Sequence, residues 1–263
     1  MAPVRRVIGL VPAAGRALRL GPLPCSKEIY PLGLRPTADG PRPRVVSEHL
    51  FDAFRRAGVD HALVLLRKGK WDIPAHLGVG RDLDLPLAYL ALDATAHIPE
   101  TLDAAYPFVA DADIALGFPD TWFEPRDAYV HLLRRLRETG AEVVLGLVPS
   151  DRPEKTDMVE LDEKGRVRRI VVKERDTGLR HAWMIAVWSP VFSRFLHDFV
   201  AGSGERRGEL YPGHVVQAAV DAGMRVDGMV FDGGSFLDIG TPEDLARAME
   251  ALADGTRVGS PGE

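Results

Sequence analysis

The residues best suited to chemistry begin in the first thirty positions. An apolar run, Val7 to Val11, has the character of a buried strand. Ala13, Ala14 and Gly15 follow, with almost no side-chain bulk. Backbone of that kind comes close to a ligand and leaves its N–H groups pointing outward. Arg16, Arg19 and Lys27 place cations around the turn. A polyphosphate needs both N–H donors and positive charge, and this stretch offers both. A tight turn at a strand end, with its cations in water, has the same pattern, so spacing alone leaves both readings open.

Two aspartates offer a second chemistry. Asp120 follows the apolar run of residues 114–118, and Pro119 and Pro125 keep its loop from becoming helix. It is therefore not spent as a helix cap. Asp238 stands in Phe236-Leu237-Asp238-Ile239-Gly240-Thr241, where Thr241 is placed to cap the next helix and Asp238 is left free. Mg²⁺ prefers oxygen ligands and takes one or two carboxylates together with substrate phosphates. A loop carboxylate that bonds neighbouring N–H groups is the plainer alternative for each.

The elements that must position these residues follow from periodicity. Ser47 can cap a helix that continues through Leu50, Phe51 and Phe54 to Gly58. Further helices are predicted at 99–107, 126–139, 190–200 and 212–222 and after Thr241-Pro242. Strands are predicted at 61–66, 87–92, 142–148, 182–188 and 226–231, and a hairpin folds around Asp162-Glu163-Lys164-Gly165. Residues 33–44, rich in Gly and Pro, read as loop, and 68–84 as irregular. Strands alternating with helices predict a mostly parallel α/β sheet with ligands at the carboxyl ends of its strands.

With 263 residues, 46% hydrophobic and 27% charged, the chain can bury one substantial core, or one core with a subdomain. A net charge of −5 gives no support for a nucleic-acid or membrane-surface partner. No apolar stretch approaches the roughly 20 residues of a membrane helix. The first apolar run leads straight into the small-residue turn, so it reads as a strand and not as a signal peptide. A single cysteine, Cys25, excludes an intrachain disulfide and fits a reducing cytoplasm; nothing around it suggests a nucleophile.

The opening stretch resembles that of the sugar-1-phosphate nucleotidyltransferases, the family of glucose-1-phosphate thymidylyl- and uridylyltransferases. That family opens with a strand, a pattern close to L-A-G/A-G-x-G-T-R-L, and a lysine in a K-x-x-x-P setting. Gly15, Arg19, Leu20, Lys27 and Pro31 match, while Ala17 replaces a glycine and Leu18 a threonine. Asp120 lies near the family's G-D-N motif, and Asp238 falls in a close match to W-x-D-x-G-T. Residues 170–178 resemble I-x-x-E-K-P, and Arg207-Gly208-Glu209-Leu210 matches the start of R-G-E-L-E-I-T-D. The likeness spans nearly the whole chain in order.

The resemblance implies a Rossmann-like nucleotidyltransferase fold: a mixed, mostly parallel sheet flanked by helices, with a small antiparallel insertion. It implies one domain over 1–253, and the residues beyond it, 254–263, read as a disordered tail. It assigns nucleotide binding to Ala13, Ala14, Gly15, Arg16, Arg19 and Lys27, and catalysis to Arg19, Lys27 and Asp120. Asp120 and Asp238 would hold Mg²⁺. Glu174 would meet sugar hydroxyls and Arg175 the sugar phosphate; Lys173, on the same strand face, is the alternative cation. The substrates would be a nucleoside triphosphate, dTTP or UTP by family habit, and a sugar-1-phosphate, in a cytoplasmic protein compatible with a homo-oligomer. Leu92 and Ala96 to Glu100 stand where the family reads its base, and Met184 where it has a glycine beside the sugar. A relative that binds without turnover, and a transferase using a sugar nucleotide, are the alternatives.

Overall fold

The computed structural model describes residues 5–36, 40–204 and 208–253. Strand β1 (Val7–Ala13) leads through short 3-10 turns into a hairpin of β2 (Pro31–Arg35) and β3 (Arg42–Val45), then α1 (Glu48–Arg56). There follow β4 (His61–Arg67), α2 (Asp72–Leu77), β5 (Leu87–Leu92), α3 (Ile98–Asp103) and α4 (Tyr106–Val109). The middle of the chain forms β6 (Asp113–Leu116), β7 (Thr121–Glu124), α5 (Ala128–Thr139), β8 (Val143–Pro149), β9 (Asp157–Leu161) and β10 (Val167–Val172). The last part forms β11 (His181–Trp188), α6 (Pro190–Gly202), α7 (Pro212–Asp221), β12 (Val226–Val230), β13 (Ser235–Asp238) and α8 (Pro242–Ala253).

The central sheet runs β5-β4-β1-β6-β11-β8-β12. Its neighbours pair in parallel except at β11, which is antiparallel to both β6 and β8. The β9–β10 hairpin joins the sheet at the first residues of β11 and is the expected antiparallel insertion. Strand side chains alternate between the two faces. Val7, Val11 and Ala13 of β1 join the core formed with Phe51 and Phe54 of α1 and Leu132 and Leu136 of α5. Ile8 and Leu10 join the opposite core with Leu102 of α3, Leu196 of α6 and Val215 of α7. Gly9 admits this packing, since a β-carbon there would stand 2.6 Å from the Phe54 ring.

Four local expectations are corrected. The Gly- and Pro-rich stretch is not all loop: Leu32 and Val46 are buried against Ile239 and Ala248, and that packing holds the β2–β3 hairpin. The stretch 68–84 contains α2, and the helix expected at 99–107 is two short ones, α3 and α4. Asp120 lies in the expected loop after β6, and the chain then enters β7, which pairs with β13 in a separate two-stranded ladder. Ser47 precedes α1 without a side-chain cap, and its hydroxyl is buried without a partner. The tail expected from 254 lies outside the described residues. Among the described residues no helix is long and apolar enough to cross a membrane.

The end of β6, which delivers the chain to Asp120, is pinned from α5: the fully buried Tyr129 donates its hydroxyl to the Leu116 carbonyl at 2.7 Å. Tyr129→Phe strands that buried acceptor. It is expected to cost about 1 kcal/mol and to lower Tm by about 2–4 °C in thermal denaturation.

Candidate active site

The small-residue turn leaves β1 at its carboxyl end, as expected. Ala13 is buried, Ala14 half-buried, and Gly15 and Arg16 are exposed. The N–H groups of Gly15 and Arg16 have no hydrogen-bond partner among the described residues. Ala17 adopts the left-handed region, φ 52°, that favours glycine. The turn therefore reaches the glycine-type shape without the glycine. A 3-10 turn at Leu18–Leu20 then carries Arg19.

Lys27 sits in a second 3-10 turn, Lys27–Ile29, and its Nζ donates to Asp120 Oδ2, both side chains being largely buried. Burial works to lower the Lys27 pKa, but the charge and hydrogen bond of Asp120 outweigh it and hold it above the usual lysine value. Lys27 is thus a fixed cation at neutral pH.

The β7–β13 ladder brings the two aspartates together. Asp238 lies opposite Thr121, and the Ile239 N–H donates to the Asp120 carbonyl at 2.9 Å. Asp238 is open to solvent on one side while protein encloses most of its surroundings. That partial burial, and then the negative charge of Asp120, push its pKa up to about 6 against the pull of Lys27 and Arg19. Arg19 reaches the same place: a β-carbon on Gly240 would stand 2.9 Å from both Arg19 Nη2 and Asp238 Oδ2. Two neighbouring carboxylates with cations around them have the oxygen donors that a hard divalent ion takes up. Among the described residues no group of three or more His, Cys, Asp or Glu side chains converges on one point. The protein thus offers two carboxylates, and the other ligands of such an ion would be phosphate oxygens and water.

On the other side of the site the strand alternation expected for Lys173 and Arg175 does not hold. β10 ends at Val172, and Lys173 turns into the left-handed region at φ 52°. Its Nζ lies 3.5 Å from the Tyr211 ring centroid. Burial lowers its pKa, Arg19 adds to that, and Asp157, Glu209 and Asp238 oppose it. Lys173 therefore shares the electrostatic environment of Arg19 and Asp238. Glu174 and Arg175 are exposed and make no ion pair among the described residues. Arg207 lies outside the described residues, while Glu209 accepts the Tyr211 hydroxyl. His214 accepts the Tyr211 N–H at the start of α7.

Met184 does not stand beside the site. A bulge between Trp183 and Ile185 turns it into the core, 4% exposed, while Trp183 donates its indole N–H to Asp157 at 3.3 Å. Leu92 packs into the core on the α3 and α6 side. His97 caps α3 and accepts the Leu210 N–H at 3.1 Å. Sequence reading missed Tyr211, Asp157 and Trp183, whose only signal was their proximity to charged motifs. It also missed Lys70, which reaches under the small-residue turn from the stretch read as irregular.

A sequence model described as nucleotidyl transferase matches residues 9–255. The chain belongs to that family. It is 24% identical over 248 residues to the low-salt glycan biosynthesis nucleotidyltransferase of Haloferax volcanii, covering 94% of this chain and 66% of that protein. It is 25% identical over 240 residues to a glucose-1-phosphate thymidylyltransferase of Streptomyces antibioticus, covering 90% of this chain and 63% of that one. The chain thus spans just under two thirds of the length of each. A Bacillus anthracis crystal structure assigned as a glucose-1-phosphate thymidylyltransferase, in complex with a sucrose, superposes with a TM-score of 0.78 over 98% of both chains at 17% identity. That likeness carries the fold: the mixed, mostly parallel, Rossmann-like sheet with its antiparallel insertion.

Two outcomes follow for this family member. Gly240→Ala meets only the flexible tip of Arg19 and one carboxylate oxygen, so Tm should stay within about 2 °C by thermal denaturation. Displacing those two groups should lower turnover about 10²-fold in a steady-state assay. Asp238 has a folded pKa above its ordinary value. Its ionised form therefore costs stability above about pH 6, and the cost vanishes below about pH 4. With water screening this exposed group, Asp238→Asn should gain about 1 kcal/mol near pH 8 without divalent ions and nothing near pH 4, read from urea unfolding.

Proposed function

We propose that this protein transfers a nucleotidyl group from a nucleoside triphosphate to a sugar-1-phosphate, giving a nucleoside-diphosphate sugar and pyrophosphate. dTTP or UTP is the proposed donor. The observation that carries the reading is the grouping of N–H donors at Gly15 and Arg16, unpartnered among the described residues, with the cations Arg19 and Lys27 and the paired Asp120 and Asp238. Family membership supports the same reaction class.

An oxygen of the sugar phosphate attacks the α-phosphorus in line; one P–O bond forms as the bond to pyrophosphate breaks. No covalent enzyme intermediate is required, so positioning and charge neutralisation carry the rate. The turn at Ala13, Ala14, Gly15 and Arg16 receives the triphosphate on its backbone. Arg19 neutralises charge that grows on the departing pyrophosphate. Lys27 exchanges part of its bond to Asp120 for oxygens of the α-phosphate and the incoming phosphate. Lys173, beside Arg19 and Asp238, is our preferred cation for the sugar phosphate, with Glu174 and Arg175 further out toward the sugar. Asp120 and Asp238 would hold Mg²⁺, which when bound neutralises the phosphates of both substrates.

Pyrophosphate release, measured with Mg²⁺, a panel of nucleoside triphosphates and several sugar-1-phosphates, tests the reading. Release that requires one triphosphate, one sugar phosphate and the ion together is expected. Silence from folded protein that still binds a nucleotide would replace the reading with a binding-only relative. Lys27→Ala should keep the wild-type circular dichroism spectrum and lose about 10²–10³ in kcat.

A further inference from the structure

Lys70 lies just beyond β4, is 7% exposed, and has its ammonium beneath the small-residue turn. Its Nζ donates to the Ala13 carbonyl at 2.9 Å, the Gly15 carbonyl at 3.3 Å and Glu28 Oε1 at 2.6 Å. An ammonium has three N–H donors, and all three are engaged. None is left for a substrate, so Lys70 does not itself bind one. Glu28 is the residue after Lys27. Two residues beyond Lys70, Asp72 accepts the Ser26 N–H at 2.6 Å and the Ser26 hydroxyl at 2.8 Å. One short segment, Lys70 to Asp72, therefore grips both the turn at 13–15 and the loop at 26–28.

A trans peptide points its carbonyl and the next residue's N–H in opposite directions. Drawing the Ala13 and Gly15 carbonyls down to Lys70 turns the N–H groups of Ala14 and Arg16 away from Lys70, and neither has a hydrogen-bond partner among the described residues. We propose that Lys70, held by Glu28, is a positioning residue that sets the direction in which the turn presents its N–H groups to a triphosphate and ties that turn to Lys27. The inference rests on the reading of the turn as a phosphate site.

A buried ion pair also stabilises a fold with no part in function, and a double substitution separates the two roles. Removing one partner strands a buried charge, whereas replacing both with apolar side chains of similar length is close to neutral. Wild type, Lys70→Met, Glu28→Met and the double variant are compared by thermal denaturation and by calorimetric titration with inorganic tripolyphosphate. Each single variant should lose about 10 °C in Tm, and the double should return to within about 3 °C of wild type. Tripolyphosphate should bind about tenfold more weakly to both proteins that lack Lys70, the restabilised double variant included. Their KM for the nucleoside triphosphate should rise to match. Wild-type affinity and KM in the double variant would overturn the proposal and leave Lys70 a structural residue. Wild type that binds tripolyphosphate but releases no pyrophosphate would overturn the transferase reading alone, whereas wild type that does not bind it would overturn both.

Discussion

Two carboxylates held side by side repel each other, and the site depends on backbone that does not let them part. Asp120 and Asp238 are fixed by the ladder between β7 and β13, not by any bond between their side chains. The repulsion is offset by Lys27 and Arg19 and expressed in the raised proton affinity of Asp238. The same arrangement explains why the neighbouring residues are small. Gly240 clears space for the Arg19 tip, and Gly117, on the way to Asp120, leaves no room for a side chain against Leu50 and Tyr129. Electrostatic strain in the site is borne by a rigid ladder at one end and by the main sheet at the other.

The order of strands and helices was legible because the central strands are long apolar runs and the helices carry full turns of periodicity. Leu87–Leu92 agrees with its expected bounds, and the β9–β10 hairpin was marked by its turn residues. The ladder that unites the aspartates was not legible. Strands of four residues show too little alternation to stand out, and β7 and β13 find each other only through the fold. The α2 segment was hidden by Pro74 within it and by Gly69, Gly78 and Gly80 around it, yet its first residue, Asp72, holds the loop that carries Lys27.

Departures from the family pattern resolve in different ways. Ala17 takes up a left-handed conformation, so an alanine here accepts the backbone shape that glycine favours. Met184 leaves the site because a bulge reverses its face, and Trp183 takes the position above Asp157. Lys173, not held to strand alternation, swings over Tyr211. A residue-by-residue match assumes that side chains keep their direction. A bulge or a single left-handed residue breaks that assumption without changing the alignment.

The clasp between β7 and β13 also has a consequence in time. The small-residue turn and Lys27 precede Asp238 in the chain and leave the ribosome before it. Until β13 pairs with β7, the growing polypeptide has the turn, its cations and one carboxylate but not the pair. The carboxylate pair thus forms only once β13 has been made and has found β7.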